Sequence, residues 1–246
     1  MAILQDISYP KVCNLIKEGL RMAYKSFYYL QIPKTGSKYF LNNMYSPLKY
    51  ELDKHGIEFF NIWDQYSNPL ITGWHPKIDK DTYVASTFRD PVKQIVSKYC
   101  DQFKSANKSE TKYYSNELPD KEAFMQNVNS YANNMSRYLI SHSEIYGKNV
   151  LQSTEIDKES AVRRSKRVNK FILESTSPND TMRSILQDMD LPVPSYLEKD
   201  RVNHKINVNN SSRLLYESLT AEEVEAIRSI SDIDEYIYNY AKGLDS

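Results

Sequence analysis

Two apolar runs, each stopping at a turn that opens a helix, constrain this chain more than any other feature. Ser26 to Ile32 (SFYYLQI) reads as a buried strand, and Pro33-Lys34-Thr35-Gly36 stops it. From Ser37 the spacing of Phe40, Leu41, Met44 and Leu48 suits one face of a helix. Thr82 to Phe88 (TYVASTF) reads as another strand, and behind it Val92, Ile95, Val96, Tyr99 and Phe103 recur at helical offsets, with Asp90 and Pro91 at the helix start. Ile57 to Trp63 (IEFFNIW) and Lys170 to Glu174 (KFILE) are the remaining strand candidates. Helical stretches are expected at 9–23, 122–146 and 156–167, from Ser177-Pro178-Asn179-Asp180, and from Thr220 to Leu244, where Thr220 and Glu223 form a capping box. Residues 104–122 are polar and aperiodic and read as a long exposed loop. Strands alternating with helices predict an α/β chain, a three-layer sandwich with a mostly parallel central sheet. No linker or repeat divides it, so residues 1–246 read as a single domain.

Charge narrows the function classes. Lys and Arg total 32, Asp and Glu total 32, and the formal net charge is zero. A global basic field for nucleic acid or an anionic membrane is therefore absent, and an anion site has to be local. The sequence lacks an apolar run of roughly eighteen residues, so no membrane span is expected. Its first 25 residues lack the charged start, apolar stretch and cleavage site of a secretory signal. Cys13 and Cys100 are too isolated for a disulfide framework or a zinc site, which makes a reduced cytoplasmic protein with no metal the expectation. Six glycines and twenty tyrosines are unusual, and that tilt reads as lineage bias rather than chemistry.

Strand, Pro33-Lys34-Thr35-Gly36-Ser37-Lys38, then helix is the layout of an anion cradle. Gly36 permits a left-handed turn and close approach. N–H groups at the new helix start and the helix dipole favour an anion, Lys34 and Lys38 add charge, and Thr35 and Ser37 add hydroxyls. The same residues also suit an ordinary strand-to-helix turn with surface lysines. A P-loop-type kinase or NTPase would need a second glycine and a Ser or Thr after the loop lysine, whereas Lys38 is followed by Tyr39. In Arg89-Asp90-Pro91, the Arg89 fork sits where a strand ends and can grip a phosphate, with Ser97 on the following helix as a hydroxyl donor. Alternatively, Arg89 pairs with Asp90 or another carboxylate and Ser97 is solvated.

Together, the strand-PKTGS-helix segment and the strand ending in Arg89-Asp90-Pro91, with Ser97 and Tyr99 beyond it, resemble the sulfotransferases that use 3′-phosphoadenosine 5′-phosphosulfate. The carbohydrate branch related to heparan sulfate 2-O-sulfotransferases is the nearest in pattern. The resemblance implies the sulfotransferase fold, with a P-loop-like turn. It implies that Lys34, Thr35, Gly36, Ser37 and Lys38 bind the 5′-phosphosulfate, and that Arg89 and Ser97 bind the 3′-phosphate. Lys34 would stabilise the bridging oxygen, and His75, in Thr72-Gly73-Trp74-His75-Pro76, would be the base for the acceptor hydroxyl. Glu51, Asp53, Glu58 and Asp64 are alternative bases, because other branches use a carboxylate. His55, His142 and His204 read as surface or packing residues.

The implied acceptor is a saccharide hydroxyl, met by loops 64–76 and 104–122, with Trp63 and Trp74 available for stacking. Arg163, Arg164, Lys166, Arg167 and Lys170 form a basic run that is either a solvated face or a contact for an anionic acceptor. Asn203, His204, Lys205 and Asn207 lie in a segment that approaches the nucleotide in the family layout. A non-catalytic nucleotide-binding protein is the remaining alternative.

Overall fold

The structure is a computed structural model that describes residues 24–32, 34–61, 80–106, 120–144, 157–174, 176–198 and 210–244. Strands β1 (Ser26–Leu30), β2 (Glu58–Asn61), β3 (Thr82–Thr87) and β4 (Lys170–Ile172) form one sheet in the order β2-β1-β3-β4. Every pairing is parallel, with Ser26 opposite both Glu58 and Thr82, and Ala85 opposite Lys170. All six residues of β3 are buried, as expected of a parallel strand covered on both sides.

Side chains alternate across a strand, and the two faces of β1 meet different helices. Phe27 and Tyr29 join Tyr83 and Ala85 against Phe40, Met44, Leu48 and Leu52. These four come from α1 (Ser37–Phe40), α2 (Ser46–Lys54) and the π-helical segment Leu41–Tyr45 between them. Met182 and Ile185 of α7 (Pro178–Asp188) close the same layer. On the other face, Tyr28, Leu30, Val84 and Phe171 meet Met135 and Leu139 of α5 (Asn134–Glu144) and Ala161 of α6 (Lys158–Ser165). Ile233 and Ile237 of α10 (Asp232–Leu244) complete that layer. Each of the large apolar side chains among these contributes about 1.5–3 kcal/mol by leaving water. The chain is therefore α/β, with helices on both faces of a parallel sheet.

A third apolar cluster lies away from the sheet. Val92, Ile95, Val96, Tyr99 and Cys100 of α3 (Pro91–Ala106) pack with Phe124 of α4 (Lys121–Asn127), Leu215 of α8 (Asn210–Glu217) and Ile227 of α9 (Ala221–Ile230). The regular apolar stripe of α3 thus faces other helices.

Several element boundaries differ from the sequence reading. The expected helix at 122–146 is two helices, α4 and α5, joined by a 3₁₀ turn and by Asn133 in the left-handed region at φ 52. The expected helix from Thr220 to Leu244 divides at Ser231 into α9 and α10, with the capping box of Thr220 and Glu223 in place. The loop at 104–122 is shorter, because α3 runs to Ala106 and α4 begins at Lys121. Pro47 explains the π segment. It has no N–H to give the carbonyl four residues back and its ring crowds that oxygen, so the turn widens ahead of it. The helix expected at 9–23 lies outside the described residues.

Tyrosines do more than the composition suggested. Tyr28, Tyr29 and Tyr83 are among the largest fully buried side chains, and Tyr29 stacks on Phe40 at 3.8 Å between ring centroids. Among the described residues, no helix is long and apolar enough to cross a membrane. From β1 the chain crosses to β2 on one side, and from β3 it reaches β4 on the other. β1 and β3 therefore flank the topological switch point, and the crevice beyond their carboxyl ends is where ligands bind in such sheets.

Candidate anion-binding site at the switch point

β1 ends at Leu30 and the turn follows at once. Lys34 holds φ 65 and Gly36 holds φ 96, so two left-handed residues reverse the chain into α1. For lysine this conformation costs roughly 1–2 kcal/mol, and such strain gathers at binding turns. A Cβ built on Gly36 meets no atom within 4 Å, so glycine is required there for its backbone angle and the space above it is open. The Gly36 carbonyl accepts from the N–H of Tyr39 (2.8 Å) and Phe40 (3.1 Å), starting the helix. The N–H groups of Ser37 and Lys38 sit in its first turn, where intrahelical acceptors do not exist.

Hydroxyls tie this turn to β3. Thr35 is buried and donates to the Ile32 carbonyl at 2.7 Å, while its oxygen lies 2.7 Å from the Thr87 hydroxyl. The Tyr29 hydroxyl lies 3.0 Å from Thr87. Each hydroxyl has one proton, so the direction is fixed: Tyr29 donates to Thr87, Thr87 to Thr35, and Thr35 to Ile32. Burial pushes the Tyr29 phenol well up, so it stays a donor. The Thr35 proton points inward, and what that residue offers an anion is its backbone N–H. Ser37 is also buried and accepts from the Gln31 amide at 3.3 Å, which leaves its own proton to give.

Lys34 reaches α3, where its Nζ lies 2.5 Å from Oδ1 of Asp101. Residues three and four apart share a helix face, so Lys98 and Ser97 lie on the side of α3 that carries Asp101. Ser97 is buried. Burial holds the Lys98 ammonium below the usual lysine range; Asp101 opposes that and Lys34 adds to it.

At the end of β3, Arg89 forms an ion pair with Glu174, just past β4, its buried Nε lying against Oε1 without making a hydrogen bond, and Lys93 of α3 approaches the other oxygen of Glu174 at 3.8 Å. Of the alternatives weighed for Arg89, pairing with a neighbouring carboxylate is what this structure contains. Asp90 has other duties. One of its oxygens caps α3 by accepting from the Lys93 N–H at 3.1 Å, and the other accepts from Arg228 at 2.7 Å. Both oxygens are thus engaged, unlike those of the strand-end acid that holds magnesium in a nucleotide hydrolase.

The sheet thus brings Lys34, Thr35, Gly36, Ser37 and Arg89 to the carboxyl ends of two adjacent strands, while Ser97 lies on α3 behind β3. Lys38 lies in α1 by its backbone. His75, Asp64, Trp63, Trp74, Asn203, His204, Lys205 and Asn207 lie outside the described residues, as do 64–76 and 107–119 of the expected acceptor loops. Three of the alternative bases sit elsewhere. α2 carries Glu51 and Asp53 roughly 20 Å along the helix from the turn, and Glu58 opens β2 at the amino edge of the sheet. Glu51 is buried and bonds Lys54 and Tyr196, Asp53 pairs with Lys49 at 2.6 Å, and His55 is exposed beyond the end of α2. Arg163, Lys166 and Arg167 are exposed around the end of α6, while burial lowers the Arg164 guanidinium from its usual range.

Four residues of this site escaped the sequence reading: Asp101, Lys98, Glu174 and Thr87. Helical spacing marks Asp101 from Ser97 and Lys98 from Asp101, but Glu174 and Thr87 meet their partners only through strand pairing. No protein-family model matches the chain, and no curated protein or solved structure matches it either.

Proposed function

We propose that this protein is a sulfotransferase that moves a sulfuryl group from 3′-phosphoadenosine 5′-phosphosulfate to a carbohydrate hydroxyl. The observation that carries this reading is the pair of cations, Lys34 and Arg89, at the carboxyl ends of adjacent parallel strands. A nucleotide with phosphate groups at both its 5′ and 3′ ends needs two such anion sites. The open space above Gly36 and the strained backbone of Lys34 fit the close approach of the 5′ group. In this reading Ser37, Lys38 and the N–H groups of the turn hold that group, and Arg89 and Ser97 hold the 3′-phosphate.

Sulfuryl transfer depends on positioning and charge stabilisation more than on covalent help. His75 accepts the proton of the acceptor hydroxyl as its oxygen bonds to sulfur. Lys34 neutralises the charge that gathers on the leaving phosphate oxygen as the S–O bond breaks. Titration calorimetry with 3′-phosphoadenosine 5′-phosphate tests the nucleotide site. Binding by the wild-type chain, lost in Arg89→Ala, is expected, with a rise in Tm by mass action. No heat and no Tm shift at millimolar nucleotide would overturn the reading. A screen of saccharide acceptors with radiolabelled donor then tests the transfer.

A further inference from the structure

Each cation of the candidate site is met by one acid from a neighbouring element, Lys34 by Asp101 and Arg89 by Glu174. We infer that Asp101 and Glu174 are built-in competitors of the nucleotide, displaced by opposite ends of it: Asp101 by the 5′ group and Glu174 by the 3′-phosphate. This rests on the nucleotide site proposed above.

Three observations carry it. Both pairs are partly exposed, with side-chain exposures of 25% and 52% for Lys34 and Asp101 and 27% and 35% for Arg89 and Glu174, and the Arg89 Nε that meets Glu174 is buried but makes no hydrogen bond. Partly exposed ion pairs are weak, and that of Arg89 lacks a hydrogen bond at Nε, so either one opens at little cost. Each acid also has a second cation in reserve on α3. Glu174 has Lys93 at 3.8 Å, and Asp101 has Lys98 one helical turn back and electrostatically coupled to it. A displaced carboxylate therefore moves to a waiting ammonium instead of facing the incoming phosphate unpaired. Asp90, by contrast, is fixed by the Lys93 N–H and Arg228 and has no such freedom. Competitors of this kind weaken retention of the desulfated product and hold inorganic anions off either cation.

The test compares wild type, Asp101→Asn and Glu174→Gln by calorimetry with three ligands: 3′-phosphoadenosine 5′-phosphate, adenosine 5′-phosphate and adenosine 3′-phosphate. Asp101→Asn is expected to tighten the two ligands with a 5′-phosphate about three- to fivefold and leave adenosine 3′-phosphate unchanged. Glu174→Gln is expected to tighten the two with a 3′-phosphate by a similar factor and leave adenosine 5′-phosphate unchanged. Serine at either position serves the same comparison if an amide variant fails to fold. Unchanged or weaker binding in both variants, or equal shifts for the two monophosphates, would overturn the inference while leaving the nucleotide site standing. No binding of any ligand by the wild-type chain would overturn both.

Discussion

Asn133 and Asp234 cap each other's helices. Oδ1 of Asn133 accepts from the N–H groups of Ile233 (3.0 Å) and Asp234 (3.1 Å), at the start of α10. The Asp234 carboxylate accepts in return from the N–H groups of Met135 (2.9 Å) and Ser136 (2.7 Å), and from the Ser136 hydroxyl, at the start of α5. The pair joins two helices that cover one face of the sheet, and Asp234 is fully buried. Asp234→Ala, which orphans two buried N–H groups, is expected to cost about 2–4 kcal/mol in urea unfolding.

Asp234 also makes stability depend on pH. Burial pushes its carboxyl up to about 6, against the pull of Ser136, Met135 and Arg137. In the unfolded chain it titrates near ~3.9. Between those values the folded state holds the extra proton, so this group's stabilisation is complete below ~4 and is lost as pH rises through 6. The Tm of wild type relative to Asp234→Asn should therefore climb as pH is lowered from 7 to 4. A flat or falling difference would show that the carboxylate is held ionised by its donors.

The hydroxyl chain through Tyr29, Thr87 and Thr35 predicts coupling between strand and turn. Thr35→Val and Thr87→Val each strand a buried partner and should cost about 1–3 kcal/mol. The double variant should cost less than the sum by at least about 0.5 kcal/mol. Additive losses in a double-mutant cycle would break the chain into independent contacts.

Gly36→Ala should lower stability by about 1–2 kcal/mol, or Tm by about 2–8 °C, because an L side chain resists φ 96 even with room around it. An unchanged melting curve would mean that the turn relaxes freely.

Lys34→Gly separates strain from chemistry. Relief of the left-handed backbone offsets the lost ion pair with Asp101, so Tm should hold or rise slightly. If the proposed reading holds, sulfuryl transfer should fall about a hundredfold or more. Near-normal turnover in this variant would remove Lys34 from the mechanism.

Under the proposed sulfotransferase reading, His75→Gln should reduce turnover by about 10²–10⁴ and leave the calorimetric affinity for 3′-phosphoadenosine 5′-phosphate unchanged. Loss of nucleotide affinity instead would make His75 a binding residue.

The strands and the two turns were legible because continuous apolar runs such as Phe27 to Leu30 stop at Pro, Gly or Arg-Asp-Pro, and parallel strands buried on both sides carry that signature. The break at Asn133 was not, since a left-handed asparagine leaves no mark on helical periodicity. Ser231 likewise ends α9 within an unbroken apolar pattern. Lys34 and Arg89 stood out from their motifs, but their acidic partners did not. Glu174 is close to Arg89 only because β4 lies beside β3, a fact of pairing that spacing along the chain does not encode.

The central place of β1 has a cost during synthesis. It leaves the ribosome before both neighbours, and Thr82, opposite its first residue, follows 56 residues later. At about 5–20 residues per second the second edge of this Phe-Tyr-Tyr-Leu strand stays unfilled for roughly 3 to 11 seconds. The segment that organises the sheet is thus one that a nascent chain leaves open to pairing with another strand until β3 arrives.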